Sequence, residues 1–89
     1  MKKSINSVEA TLKQRQTTHG DFTENAEVSQ TLKNCAKAGS KWGYMTPVQK
    51  EAVEVILAKV ARITTGDPNH KDNWHDIGGY AKLAEDRIK

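Results

Sequence analysis

Residues 46–66, TPVQKEAVEVILAKVARITTG, decide the fold because they carry the clearest helix signals in the chain. Thr46 is a natural N-cap, Pro47 suits the first helical position, and Gln49 completes a capping box. Gly66 supplies a natural stop after the last apolar residue. The stretch therefore predicts a long helix with both ends marked.

This helix is predicted to run to about Thr64, and it is apolar nearly all round. One broad face has its apolar residues at helical spacing, and a second apolar set lies outside that face. The first set is Ala52, Val53, Ile56, Val60 and Ile63, and the second is Val48, Val55, Leu57, Ala58 and Ala61. Because such a helix must be covered on most sides, we expect it to be central in a bundle and also covered by a second subunit.

Two further helices are predicted before it. The first runs from about Ser7 to Gln16. The second begins at Asp21, which stands in capping-box relation to Glu24, and it stops at Gly39. Both have fewer apolar residues at helical spacing than the central helix.

A fourth helix is predicted to open at Pro68 or Asn69 and to continue close to the C-terminus. Its apolar residues alternate by three and four, as the residues of a packing seam do. They are Trp74, Ile77, Ala81, Ala84 and Ile88. Since no stretch alternates like a β-strand, the sequence predicts an all-α protein, a compact oligomeric bundle of about four helices. It forms one domain over residues 1–89, with residues 1–6 flexible.

Length and composition exclude several classes of protein. A chain of 89 residues with 28% charged residues is expected to be a small soluble domain that gains stability by oligomerising. No apolar run approaches the roughly 20 residues that span a membrane, and the single Cys35 suits a reducing cytosol. The net charge of +3 favours phosphate-bearing ligands but is not the dense basic stripe of a duplex-binding protein. We therefore expect a cytoplasmic protein, and neither a membrane nor a nucleic acid as its partner.

Four acids are candidates for a metal site. Glu51 and Glu54 share a side of the third helix, and Asp72 and Asp76 lie one turn apart on the fourth. Paired carboxylates on two helices can hold Mg²⁺ through oxygen ligands, or they can be ordinary acids of a solvated surface. Since Glu51 and Glu54 point away from the main apolar face, they can line a site only if the fourth helix or another subunit covers that side.

Two adjacent glycines follow Asp76 inside the fourth helix. Each glycine in a helix interior costs about 0.8–1.0 kcal/mol relative to alanine, so Gly78 and Gly79 need a physical reason. Close approach of another helix is one reason, and a ligand against bare backbone or a local break in the helix is another. Tyr80, one turn after Asp76, would place its hydroxyl over the same spot.

Cations near this segment are candidates for holding phosphate, although each could also be a solvated surface charge. A second compact polar cluster, His19 and Asp21, lies at the junction of the first two helices, where capping explains most of the role of Asp21. The predicted ligand-binding residues are Lys59, Arg62, Lys71, Asp76, Gly78, Gly79, Tyr80, His19 and Asp21, and the predicted metal ligands are Glu51, Glu54, Asp72 and Asp76.

Trp42 and Tyr44 lie in a glycine-punctuated loop, residues 39–45. Such aromatic residues most often pack back over the core. Alternatively, they form a wall that stacks a base or inserts into a partner protein. On that interpretation the chain is a protein–protein inhibitor of a host factor.

Several stretches together resemble a small family of uncharacterised phage and prophage proteins. They are Thr18-His19-Gly20-Asp21-Phe22 with Asn25-Ala26, Gln49-Lys50-Glu51-Ala52, Lys59-Val60-Ala61-Arg62, Gly66-Asp67-Pro68 and Asp72-Asn73-Trp74-His75-Asp76-Ile77-Gly78-Gly79-Tyr80-Ala81. The resemblance covers roughly residues 14–86, and the pattern Trp-x-Asp-Ile-x-Gly-Tyr-Ala is its most specific part. It implies a phage-encoded protein working in a bacterial cytoplasm and brings no established activity with it.

The chain is also distantly similar to the all-α nucleotide pyrophosphohydrolases of the MazG type. Those enzymes bind Mg²⁺ with a glutamate-rich motif on one helix and an acidic motif on the next, which an aromatic residue follows one turn later. The parts of that pattern present in this chain are Glu51-x-x-Glu54 and Asp76-x-x-x-Tyr80. The resemblance implies Mg²⁺ as the cofactor if the chain is an enzyme.

Two positions depart from the MazG-type pattern. Lys50 stands where a second glutamate is expected, and Asn73 stands where an acid is expected, with Asp72 as a substitute one residue earlier. Because the acidic set is depleted, nucleotide binding is favoured over turnover. We therefore expect a phage-encoded protein that binds a nucleotide or its phosphates and sequesters a nucleotide immune signal to block host anti-phage defence. The alternative is an active Mg²⁺-dependent nucleotide pyrophosphohydrolase.

Overall fold

The computed structural model describes the backbone of residues 2–89 and the side chains of residues 7–16 and 20–89. This part of the chain is all-helical and contains no strand, as predicted. Its four α-helices are α1 (Lys2–His19), α2 (Phe22–Lys37), α3 (Pro47–Thr65) and α4 (Lys71–Glu85), and a short 3₁₀ helix at Trp42–Tyr44 connects α2 to α3.

The capping box predicted at Thr46 and the N-cap predicted at Asp21 are confirmed. Thr46 Oγ1 accepts from the Gln49 backbone N–H at 3.2 Å, and the Gln49 side chain accepts from the Thr46 backbone N–H at 2.9 Å. At the start of α2, the Asp21 carboxylate accepts from the Glu24 backbone N–H at 3.0 Å. Gly66 follows the last residue of α3, as its position in the sequence indicated. These local bonds fix where α2 and α3 begin.

The bounds of α1 and α4 differ from the prediction. The α1 backbone continues through Thr17 and Thr18 to His19, because the stop is supplied by Gly20 rather than by the weak apolar pattern. The flexibility predicted for residues 1–6 stays a prediction, and their side chains lie outside the described residues. In α4, the Asp67 carboxylate accepts from the Asn69 backbone N–H at 2.8 Å, so a turn occupies the position at which the helix was expected to open.

α3 is the central helix, with α4 and α2 packed against it more extensively than α1. Among the described residues, the buried apolar side chains are only Ala52 and Ala61. The larger apolar side chains of α3 over residues 53–60 are half-buried. The central position predicted for this helix is therefore confirmed, whereas its full burial is not reached within one chain.

Only some residues of the packing seam predicted for α4 are shielded from solvent. Ile77 and Ala84, seven residues apart, are half-buried, while Trp74, Ala81 and Ile88 are exposed. Residues seven apart lie on nearly the same line of a helix, and that line is the one that packs against α3. Among the described helices, none is long and apolar enough to cross a membrane.

Candidate functional site

The junction of α1 and α2 is fixed to the end of α3. Gly20 has a φ of +77°, and a Cβ at this position would overlap the backbone carbonyl of Thr65. Asn25 Nδ2 donates to Thr65 Oγ1 at 3.3 Å, and Thr65 Oγ1 donates to the Ala61 backbone carbonyl at 2.8 Å. Only glycine fits such a conformation at such a short approach, so the corner has one defined geometry.

A cleft of about 420 Å³ opens at this corner, between α1, the start of α2 and the last turns of α3. We call it the corner cleft. Its lining residues are Leu12, Arg15, Gln16, Gly20, Phe22, Asn25 and Arg62. The Phe22 side chain is 80% exposed and that of Leu12 is 57% exposed, so large apolar surfaces face solvent here. The cleft has the size of a small-molecule site.

Two guanidinium groups line the corner cleft, Arg15 from α1 and Arg62 from the last turn of α3. No carboxylate belongs to the described lining. Asp21 lies next in sequence to Phe22, but its carboxylate is used by the Glu24 backbone N–H. The described lining therefore combines two guanidinium groups with apolar walls, a combination that suits an anionic ligand with an aromatic part.

A second depression lies along α3 between α2 and α4, with a volume of about 320 Å³. We call it the central groove. It brings together five residues that the sequence singled out: Glu51, Glu54, Lys59, Arg62 and Tyr80. Val55, Ala58 and the α2 residue Lys33 complete its lining. The side of α3 that was predicted to need a cover is thus an open groove in the single chain, and Arg62 lines both it and the corner cleft.

The four predicted metal ligands are not brought together. Asp76 pairs with Lys59 at 2.9 Å and Glu54 with Lys37 at 3.6 Å, while the exposed Asp72 carboxylate lies 3.8 Å from His70 Nε2. Within the described residues, no three His, Cys, Asp or Glu side chains form a group that could hold a metal ion. Three of these acids thus each lie beside a basic neighbour in the single chain, and a metal site built from the four acids stays a prediction.

Lys59 controls the ionisation of Asp76. Its hydrogen bond to the carboxylate lowers the pKa of Asp76 below the ordinary value of 3.8, and burial opposes this by raising the pKa. The charges of Lys59, His75 and Arg62 lower the pKa further. Because Asp76 is the counter-ion of Lys59, the pair brings no net charge to an incoming ligand.

The glycine pair of α4 has no neighbour in the described part of the chain. A Cβ added to Gly78 or Gly79 would meet nothing within 4 Å, and the helix runs unbroken through both. Close approach of another helix of the same chain is therefore not the reason for these glycines, nor is a break in the helix. Of the reasons considered from the sequence, a ligand against the bare backbone stays a prediction.

The other predicted residues are scattered. Tyr80 lines the central groove with its side chain 36% exposed, whereas the exposed Lys71 lines none of the clefts described here. The side chain of His19 lies outside the described residues. On the connecting loop, Trp42 is half-buried with Lys50 Nζ 6.0 Å from its ring centre, and Tyr44 is exposed.

Sequence reasoning found Arg62 but missed the residues that accompany it in the corner cleft: Leu12, Arg15, Gln16, Phe22 and Asn25. One signal could have pointed to them, since Gly20 between two helices predicts a tight corner.

Comparison with known proteins gives a family but no activity. The family model described as "Domain of unknown function (DUF6378)" matches residues 5–88. No curated protein and no solved structure matches the chain. The resemblance to a small uncharacterised family is thereby confirmed, whereas the phage origin and the likeness to MazG-type enzymes stay predictions.

Proposed function

This chain belongs to the DUF6378 family, and on that premise we propose that its corner cleft binds a nucleotide or a nucleotide-derived signal through its phosphates. The observation that carries the proposal is the meeting of Arg15 and Arg62 in a cleft walled by the exposed ring of Phe22. Of the depressions in the described part of the chain, this one offers cations without a lining carboxylate.

Arginine pairs suit phosphate because each guanidinium offers parallel N–H donors that match two phosphate oxygens. Arg62 is held by the last turn of α3, and the Gly20 corner sets how far α1 and Arg15 stand from it. A phosphate between them would join two helices that otherwise contact each other little. Binding should therefore order α1 against the bundle.

The apolar wall of the cleft selects the rest of the ligand. Bases stack on aromatic side chains without regard to sequence, and the exposed Phe22 ring offers such a platform. Gln16 and Asn25 add amide groups that can hydrogen-bond a base or a ribose. Inorganic phosphate would use the arginines alone, whereas a nucleotide would use both parts of the cleft.

The resemblance to phage and prophage proteins extends the proposal. A small phage-encoded binder of this kind would act in the host cytoplasm, hold a nucleotide immune signal intact and so block anti-phage defence. It would act as a homo-oligomer, which raises the number of ligands bound by each particle. The MazG-like hydrolase alternative rests on sequence similarity, and the scattered acids of the described chain add no support to it.

The experiment incubates the purified chain with linear and cyclic nucleotides, removes free ligand, denatures the protein and analyses what is released. Arg62→Gln removes one charge from the corner cleft. Lys41→Gln removes one charge from the loop near the opposite end of α3 and is the matched control. Thermal unfolding confirms that both variants fold.

We expect the wild type and Lys41→Gln to release intact nucleotide. Arg62→Gln should bind the nucleotide at least about tenfold more weakly, because a charge-assisted hydrogen bond contributes about 1.5–3 kcal/mol. Failure of the wild type to retain any nucleotide would overturn the proposal. Recovery of a cleaved nucleotide together with pyrophosphate would replace sequestration with the hydrolase alternative.

A further inference from the structure

An apolar groove of about 470 Å³ lies at the other end of the bundle, between the start of α3 and the end of α4. We call it the end groove. Its lining residues are Pro47, Val48, Glu51, Ala52, Tyr80, Leu83 and Arg87. Three large apolar side chains stay partly exposed in it, Val48 at 42%, Tyr80 at 36% and Leu83 at 48%. It is mainly apolar, unlike the central groove.

Gly79 extends the same face. It lines a shallow depression on α4 together with Tyr80 and Leu83, two residues of the end groove. A glycine inside a helix costs about 0.8–1.0 kcal/mol relative to alanine. No described atom lies where its Cβ would be, so no contact in the described part of the chain offsets that cost. A helix from outside could approach the bare backbone at this point.

The surface area of the chain indicates how much could be covered. The chain exposes 6780 Å² at a mass of 9.9 kDa, about 1,600 Å² more than a folded monomer of this mass typically exposes. Part of the excess belongs to α1, whose described residues 7–16 are all exposed. A stable protein–protein contact needs about 800 Å² from each partner, so the whole-chain excess is large enough for one such contact, and the exposed apolar residues of the end groove indicate its place.

Charge points to a second copy of this chain as the partner. The end groove carries one acid on its α3 side, Glu51, and one base on its α4 side, Arg87. In a two-fold contact the same surface meets itself, so the α3 side of one copy can face the α4 side of the other. Glu51 would then lie opposite the Arg87 of the second copy, twice in each dimer.

We infer that the end groove and Gly79 form the contact between two copies of this chain, with Leu83 of each copy inserted into the apolar groove of the other. The contact covers the exposed apolar residues Pro47 and Val48 at the start of α3. This inference does not rest on the proposed function, because the corner cleft lies at the opposite end of α3.

Sedimentation equilibrium over a range of concentrations tests the contact with a matched pair of variants. Leu83→Glu places a charge in the end groove. Ile88→Glu makes the same chemical change at a more exposed position, 63%, which does not line the groove. We expect a dimer for the wild type and for Ile88→Glu, and for Leu83→Glu a dimer dissociation constant raised about tenfold or more, so that the variant is mainly monomeric. Circular dichroism checks that the variants remain helical.

A second pair keeps the test decisive if Leu83→Glu fails to fold. Gly79→Arg adds a long side chain on the face of the end groove, and Gly78→Arg adds it about 100° away around the same helix. Both sites are open in the single chain, so both variants should fold. Gly79→Arg is expected to be monomeric and Gly78→Arg dimeric. A wild type that is monomeric at every concentration, or equal effects within either pair, would overturn the inference.

Discussion

The Gly20 corner and the Gly78–Gly79 segment of α4 use glycine for opposite reasons. At Gly20 the backbone is left-handed and the Thr65 carbonyl occupies the place of a side chain. At Gly78 and Gly79 the backbone is ordinary helix and the space beside it is empty. The first glycine is explained within the chain, and the other two are not.

This difference separates the region that one chain completes from the region that, by our inference, a second copy covers. The corner has its contacts in place, with Asn25 bonded to Thr65 and Arg62 held in the last turn of α3. The α4 face has exposed apolar side chains and an uncompensated helix cost. A small ligand suits the first region, and a second copy suits the other.

The largest effect is expected for Gly20→Ala. The substitution requires an unfavourable left-handed conformation and displaces the Thr65 backbone, so it should lower the free energy of unfolding by about 2–4 kcal/mol. Urea unfolding measures it. Gly43→Ala is the control, because a Cβ there meets nothing within 4 Å, and its effect should stay below about 0.5 kcal/mol. Equal effects at both positions would mean that the corner is not fixed as described.

The next effect concerns the ligand rather than stability. Phe22→Ala should weaken nucleotide binding by about 1–3 kcal/mol through lost stacking and leave the affinity for inorganic triphosphate unchanged. Because the side chain is 80% exposed, the unfolding free energy should hardly change. Isothermal titration with the two ligands separates these outcomes. Equal losses for both ligands would show that the ring does not contact the base.

A gain in stability is expected at the other glycine region. Gly78→Ala should raise the free energy of unfolding by about 0.8–1.0 kcal/mol, because alanine favours the helix and has free space on this side. Urea unfolding at dilutions that favour the monomer measures the gain. If Gly78→Ala destabilises the chain, some part of the protein covers that position and the contrast with Gly20 fails.

Local signals in the sequence predicted most of the fold. The caps at Asp21, Thr46 and Gly66 depend on residues a few positions apart, so they could be found from the sequence directly. The corner cleft could not be found in this way, because it brings together Leu12 and Arg62, which are fifty positions apart in the sequence. Helical periodicity indicates only which nearby residues share a face. The basic partners of the acids could not be predicted either, for a related reason.

That reason is that side chains on neighbouring helices compete to pair with the same residue. Spacing placed Asp76 near Tyr80, but it did not reveal that Lys59 on the facing helix would pair with the carboxylate. Spacing also marked Gly78 and Gly79 as unusual without telling whether a neighbour lay inside or outside the chain. Both questions are decided by the packing of α4 on α3.

The smallest effect is the pH dependence of the Asp76–Lys59 pair. The folded pKa of Asp76 lies below its ordinary value of 3.8, so its contribution to stability is present above that pH and is lost as the pH falls through the lowered pKa. Asp76→Asn should therefore melt at a lower temperature than the wild type near neutral pH, and the gap should close in acid. A gap that is independent of pH would show that the pair does not stabilise the fold.

The most direct test of the contrast between the two regions is nucleotide binding by the monomeric variant Leu83→Glu. If the corner cleft is complete in one chain, this variant retains one intact nucleotide per chain with an affinity within about twofold of the wild type, as expected for distant independent sites. A variant that has lost the dimer and the nucleotide together would contradict this, and it would show that the ligand site spans two chains.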